Sequence, residues 1–281
     1  MKKNINILFI YYFLIFFLSI PLVAQEPTID LYVNSYKNSS PTLSHGTLQE
    51  WAILTPGNSL DPSMRGAVLK YATKVSRGLL DGNTRTTSAK HPGQEEILFV
   101  IDGSGKIEAG LKRVKLSEGV VVVIPPDVDH LISNECEKPL EFLILCGDYW
   151  SDKVPPGEII VRNYYDLPLE VGHWSMNIRR LLKVTDGLGW FYAVNIITID
   201  GMGITNPHTH GADYEEVWYA LKGKSLLFLG KKIQWQEEGT AYMIPPTDTI
   251  THSNINAGTE PVMFLDFIVF PQQGQERIKI P

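Results

Sequence analysis

Along the body of the chain the apolar positions come in short runs separated by turn residues. ILFVI (97–101), GVVVVI (119–124), LEFLIL (140–145), VWYAL (217–221), SLLFL (225–229), AYMI (241–244) and VMFLDFIVF (262–270) are rich in branched and aromatic residues. Each is short enough to be a strand, and glycines, prolines and acids interrupt them at about 8–12-residue spacing, the rhythm of a sandwich or barrel. Gly103 and Gly223 close strands where the chain must turn. The Pro125–Pro126 and Pro245–Pro246 pairs stop buried strands at a rigid corner, because neither proline can donate to a ladder.

The pattern is duplicated. Glu95–Gly110 (EEILFVIDGSGKIEAG) aligns without a gap on Glu215–Gly230 (EEVWYALKGKSLLFLG), an offset of 120. Glu96, Gly103, Gly110, Gly119, Pro125 and Pro126 fall on Glu216, Gly223, Gly230, Gly239, Pro245 and Pro246. After the prolines the offset is 122, and Asn134, Pro139 and Phe142 fall on Asn256, Pro261 and Phe264. So many glycines and prolines in register mark a repeated unit. The expected architecture is all-β, with two tandem jelly-roll barrels. Residues 25–62 are expected as an N-terminal arm that wraps the partner barrel or a second subunit. Residues 63–150 form the first barrel, 151–175 the linker, 176–272 the second barrel and 273–281 a tail.

Residues 1–24 stand apart. Lys2 and Lys3 precede ILFIYYFLIFFLSIPLVA, and small and polar residues follow at Ala24–Gln25, the order of a secretory signal peptide; an uncleaved anchor is the rival reading. The protein is therefore expected to be exported, periplasmic or secreted. Removing two lysines takes the net charge of −6 to about −8. That acidity, with no basic stripe, disfavours nucleic acid as a partner. Cys136 and Cys146 sit at opposite ends of a strand of about seven residues, roughly 20 Å, too far for a disulfide.

The chemistry concentrates in the second unit. His208 and His210 stand at i and i+2 of an extended segment and so share a face. Glu215 or Glu216 opens the next strand, and His252 follows the Pro245–Pro246 corner. A one-residue slip inside a paired strand would turn every side chain over, so the repeat register selects Glu216, with Glu215 the alternative. Three imidazoles and a carboxylate suit one divalent first-row metal: Mn, Fe, Co, Ni or Zn. Tyr219, Tyr242, Trp218 and Thr249 are candidates for the surrounding shell. In the first unit the same register puts Ser88 and Lys90 at the paired-histidine positions and leaves His91, Glu96 and His130. This barrel is expected to be a support whose metal site has degenerated, with Glu96 paired to Lys90 and His130 a hydrogen-bonded core residue; an altered site on the three survivors is the alternative.

HTH with Glu216 and Gly223, then Gly239, Pro245, His252 and Asn256, resembles the two sequence motifs of the cupins, and GVVVVIPPDVDHLISN (119–134) is similar to the second motif. The resemblance spans about Arg65 to Phe270 and, with the duplication, implies a bicupin. It says little of the reaction, because the fold hosts many chemistries and non-enzymatic binders. The expected function is a metal-dependent enzyme acting on a small organic acid or carbohydrate-derived substrate, or else a non-catalytic binder of a sugar-like ligand. Partners are expected to be that small molecule and a second copy of the chain, with no membrane after signal cleavage.

Overall fold

The computed structural model describes residues 28–149, 154–212 and 214–269. The signal segment and the C-terminal tail lie outside the described residues. Each unit folds into two facing sheets, antiparallel apart from the short Ala67–Leu69, which pairs parallel with Leu48–Pro56. In the first unit, the larger sheet runs Ile160–Asn163, Val120–Ile124, Gln94–Asp102, Leu140–Asp148, Ala72–Leu80, Leu48–Pro56, Thr42–Ser44. The smaller one runs Thr84–Arg85, His130–Asn134, Ser104–Ala109, Lys112–Ser117. In the second unit the larger sheet runs Val33–Ser35, Thr240–Met243, Glu215–Lys222, Val262–Val269, Phe191–Ile199, Met176–Lys183, Glu170–Gly172. Lys232–Glu237, Lys224–Leu229 and His252–Ile255 make the smaller.

The barrels exchange edge strands. Val33–Ser35, from the expected arm, pairs with Thr240–Met243 of the second barrel. Ile160–Asn163, from the expected linker, pairs with Val120–Ile124 of the first. Each exchange covers an edge that would otherwise present unpaired backbone groups. The remainder of the expected arm does not wrap the partner: Thr42–Ser44 and Leu48–Pro56 join the sheet of their own barrel.

Alternation along each strand separates two cores. In Gln94–Asp102, Leu98 and Val100 face the interior of the first barrel with Ile107, Val122, Ile132, Phe142 and Ile144. Ile97 and Phe99 face outward and join Val121, Leu143, Val217, Tyr219, Leu265 and Phe267 in a core between the barrels. Side chains of this size stabilise by about 1.5–3 kcal/mol each when fully buried, so both layers resist slippage of the strand register.

The repeat is visible in individual contacts. Asn134 Nδ2 donates to the carbonyls of Leu80, Asp81 and Lys138, and Asn256 Nδ2 to those of Ile199, Asp200 and Glu260. Gly103 and Gly223 have φ of 89° and 84°, the left-handed region that suits glycine, and a Cβ on Gly103 would lie 2.4 Å from the Pro139 carbonyl oxygen. Cys136 is exposed, Cys146 is buried, and both are free thiols.

Candidate metal centre

His208 and His210 lie on the extended segment entering the second barrel. Reciprocal backbone hydrogen bonds between His208 and His252, 3.3 and 3.0 Å, fasten that segment to the strand His252–Ile255. Donor nitrogens of His208, His210 and His252 lie within 4.8 Å of one another. Glu216 Oε2 stands 2.6 Å from His210 Nε2, completing the expected set. Glu215, one residue earlier, faces the opposite way: its carboxylate accepts backbone N–H bonds from Lys70, Tyr71 and Ala72 of the first barrel at 2.6–2.9 Å. Strand alternation thus separates the two glutamates, one into the site and one into the interface.

The protonation chemistry favours free lone pairs on His208 and His252. His208 Nδ1 contacts the Asn206 carbonyl at 2.9 Å and can only donate there, so in the neutral ring Nε2 carries the lone pair. Burial depresses the His252 pKa to about 3, leaving it neutral, and neither of its ring nitrogens has a hydrogen-bond partner. Burial also lowers His208. For His210 burial acts downward but the Glu216 charge prevails and raises it. Burial pushes Glu216 up, yet His210 holds it far below the ordinary carboxylate range. A buried imidazole with two orphaned nitrogens, beside two more imidazoles and a carboxylate, fits a nitrogen- and oxygen-ligated divalent metal.

The site opens onto a cavity of about 560 Å³ whose walls include Arg180, Tyr192, Asn195, Tyr214, Trp218 and Asp266. The Trp218 indole N–H donates to Glu216 Oε1 at 2.6 Å, fixing the carboxylate through the oxygen that does not face His210. Tyr214 stacks on His210 at 4.2 Å with the ring planes 4° apart. Asn195 Nδ2 donates to Asp266 Oδ2 at 2.8 Å, and burial followed by the neighbouring Glu216 charge raises the Asp266 pKa well above its ordinary value. His173 contacts Asn206 at 2.8 Å and stacks on His208 at 5.0 Å. Tyr214, Asn195, Asp266 and His173 were not read from the sequence.

Of the expected shell, Trp218 is placed as the motif reading suggests. Tyr242 faces inward, and its hydroxyl accepts from Asn254 Nδ2 at 2.7 Å. Tyr219 has the opposite parity: it sits in the core between the barrels, where its hydroxyl accepts from Arg77 at 3.3 Å. Thr249 is exposed on the corner, 3.3 Å from Thr247.

In the first barrel the offset of 120 does not hold through the entry loop. Ala89, not Ser88, bonds the backbone of His130 as His208 bonds His252. One loop residue therefore separates the two copies, and His91 takes the place of His210. Lys90 points outward to Asp129 at 3.5 Å and does not pair with Glu96. His91, Glu96 and His130 converge as the alternative reading required. A residue outside both motifs, His45 on the hairpin between Thr42–Ser44 and Leu48–Pro56, joins them, with all four donor atoms within 4.8 Å. The hairpin registers show its counterpart: Ser44 pairs with Leu48 as Gly172 pairs with Met176, so His45 corresponds to His173. Both have left-handed backbones, with φ of 48° and 43°.

Comparison with known proteins agrees with this geometry. Residues 78–146 match the Cupin_2 family, described as Cupin domain. An uncharacterized protein of Methanocaldococcus jannaschii is 28% identical over 75 residues, covering 27% of this chain and 58% of that protein. Among solved structures, a Pseudomonas aeruginosa protein described as glyoxylate induced superposes with a TM-score of 0.69 at 19% identity, covering 84% of this chain and 86% of that one. Oxalate decarboxylase from Lactobacillus farciminis, in a formate complex, gives 0.64 at 14% identity over 85% and 86% of the two chains. The Bacillus subtilis oxalate decarboxylase, described for its Mn(II) centres, gives 0.66 at 14% identity over 86% and 78%. Residues 78–146 of the first barrel thus match a Cupin domain, and most of the chain shares the two-barrel fold of these structures.

Proposed function

We propose that this protein is an exported metal-dependent enzyme whose reaction takes place in the second barrel, on a small polar substrate such as an organic acid or a carbohydrate derivative. The carrying observation is the junction of His208, His210, Glu216 and His252 with the polar cavity. Such a donor set would hold one divalent first-row metal, which polarises a bound oxygen or lowers the pKa of bound water. The chain's own residues supply the rest. Trp218 holds the Glu216 carboxylate in place. Arg180, whose Nε also meets Glu170 at 2.8 Å, brings a positive charge to the cavity wall suited to an anionic substrate group. Asp266, held by Asn195, is a buried carboxyl positioned to exchange a proton with a substrate.

The contrast between the barrels supports this reading. At matching inward positions the first barrel has Leu98, Val122, Ile132 and Ile144, where the second has Trp218, Tyr242, Asn254 and Asp266. A polar interior is costly unless it is partnered, so it is expected where a polar ligand binds. The alternative, a barrel that holds a sugar-like ligand without turnover, uses the same cavity. The signal-like N-terminus supports export, and the net charge of −6 disfavours nucleic acid as a partner.

The test is turnover. Purified metal-loaded protein is offered a panel of small organic acids and sugars, with product formation and oxygen consumption followed. Turnover lost in His208→Ala/His210→Ala supports the enzyme; saturable binding of a panel member without product supports the binder.

A further inference from the structure

We propose that the first barrel is a second metal centre, built from His45, His91, Glu96 and His130, and that its metal pins the hairpin of residues 42–56 to the barrel. Sequence motifs place only three of these residues together; His45 arrives from a hairpin outside both motifs.

The distances describe a coordination polyhedron. Four donors bound at about 2.0–2.2 Å in a tetrahedron lie roughly 3.3–3.6 Å apart along its edges. His45 Nε2 is 3.2 Å from His91 Nε2, 3.3 Å from His130 Nε2 and 3.8 Å from Glu96 Oε2. His91 Nε2 and His130 Nε2 are 3.3 and 3.4 Å from the same carboxylate oxygen. Five of the six edges are thus near tetrahedral length, and all five involve Nε2 atoms or a single oxygen.

Hydrogen bonding alone accounts poorly for that convergence. His130 Nδ1 meets the Val128 carbonyl at 3.2 Å and must donate there, so in the neutral ring its Nε2 has a lone pair directed at the cluster. His45 Nε2 faces two other Nε2 atoms while offering one hydrogen or one lone pair. Glu96 Oε2 is fully buried and makes no hydrogen bond. Lys74, the nearest fixed cation, is engaged by Glu50 at 2.9 Å and comes only within 3.9 Å of the other Glu96 oxygen. Beneath the cluster lie apolar side chains including Leu98, Val122, Phe142 and Ile144, and the buried Glu50 there is engaged by Lys74 and Ser76, so this metal has a structural environment, unlike the one facing the polar cavity.

His45 and His173 occupy equivalent hairpin positions, and the two barrels make opposite use of them. The first barrel has Ala89 at the place of His208 and recruits the hairpin histidine; the second has His208 and leaves His173 stacked outside it. Either arrangement yields three imidazoles and a carboxylate.

The experiment uses the full chain stripped with a chelator and titrated with Co²⁺ alone. Wild-type protein is expected to bind about two equivalents. His208→Ala/His210→Ala is expected to keep one, with the intense visible absorption of tetrahedral cobalt. In that background His45→Asn, which tolerates the left-handed backbone, weakens the remaining site at least about tenfold, and His91→Asn does the same. Hydrogen exchange over residues 42–56 speeds up on metal removal in the parent and not in His45→Asn. A parent with no tight cobalt, or a His45→Asn loss below about tenfold with unchanged exchange, overturns the proposal. Wild-type protein that binds one equivalent and loses it in His45→Asn supports this centre while removing the second-barrel reading.

Discussion

Glu95 and Glu215, 120 positions apart, make the same contact in opposite directions across the interface between the barrels. Glu95 accepts backbone N–H bonds from Gly189, Trp190 and Phe191 at 3.0–3.3 Å, and Glu215 accepts them from Lys70, Tyr71 and Ala72 at 2.6–2.9 Å. Each carboxylate thereby satisfies the start of a strand of the other barrel, Phe191–Ile199 or Ala72–Leu80. The carboxylate beside each of them points the other way, into its own barrel.

Removing one of these clasps leaves three backbone donors without a partner in a mostly dry interface. Glu215→Ala is expected to lower stability by at least about 3 kcal/mol, since each of the three orphaned donors costs about 1–3 kcal/mol where water cannot replace the bond. Glu215→Gln also loses stability, because its amide presents N–H to N–H. Urea denaturation followed by tryptophan fluorescence checks both, and metal content in the second barrel stays unchanged.

The same two carboxyls make stability depend on pH. Burial raises both pKa values to about 7 against the pull of the backbone donors. A carboxyl raised in the folded state binds its proton more tightly there than when unfolded. Its contribution is complete below the unfolded value near 4.5 and is lost as pH rises through about 7. At the full shift this is on the order of 3 kcal/mol for each group. Denaturation midpoints measured from pH 5 to pH 8 are expected to fall, and Glu95→Ala/Glu215→Ala is expected to flatten that slope.

How much of this was legible in the sequence depended on the kind of signal. Strand composition, the paired glycines and prolines, and the alternation that divides Glu215 from Glu216 are local, and they carried the two-barrel fold and the convergence of His208, His210, Glu216 and His252. Parity could have excluded Tyr219, because a strand that sends Glu216 inward sends Tyr219 outward; an aromatic beside a motif was given weight that belonged to its register. The entry loop defeated alignment because one residue of length, absorbed without cost in a loop, moved His91 away from His210. His45 was hardest, since it lies outside both motifs. Its faint signal was the pair SHGTL (44–48) and GHWSM (172–176), histidine-bearing hairpins at an offset of 128, an offset that only strand pairing makes meaningful.

Glu216 and Glu215 can be separated by metal content. Glu216→Ala removes a first-row metal from the second barrel, whereas Glu215→Ala costs stability and leaves the metal. Elemental analysis of both variants in the His45→Asn background reads the second barrel alone. Metal lost from Glu215→Ala and kept by Glu216→Ala would reverse the assignment.

Trp218 is expected to act on a metal bound in the second barrel through Glu216. Its indole N–H is the hydrogen-bond donor to Glu216 Oε1, and the ring packs at 5.4 Å from Phe264 and 6.3 Å from Tyr242. Trp218→Phe keeps most of the packing and removes that donor, so it is expected to weaken metal binding by about 10–100-fold in a chelator competition. Tyr219→Phe, in the core between the barrels with its hydroxyl on Arg77, leaves affinity unchanged and serves as the control.

Asp266 separates binding from turnover. It lies on the cavity wall beside Glu216, and the Asn195 amide holds one of its oxygens. Asp266→Asn keeps the shape and removes the exchangeable carboxyl proton, so the metal is retained while turnover on a responsive substrate falls by about 100-fold or more, the range of positioned acid–base groups. Arg180→Ala instead weakens substrate binding, most strongly for anionic members of the panel. If Asp266→Asn turns over at the parental rate while Arg180→Ala still weakens binding, the cavity recognises its ligand as proposed but Asp266 transfers no proton, and the acid–base role passes to a group at the metal itself.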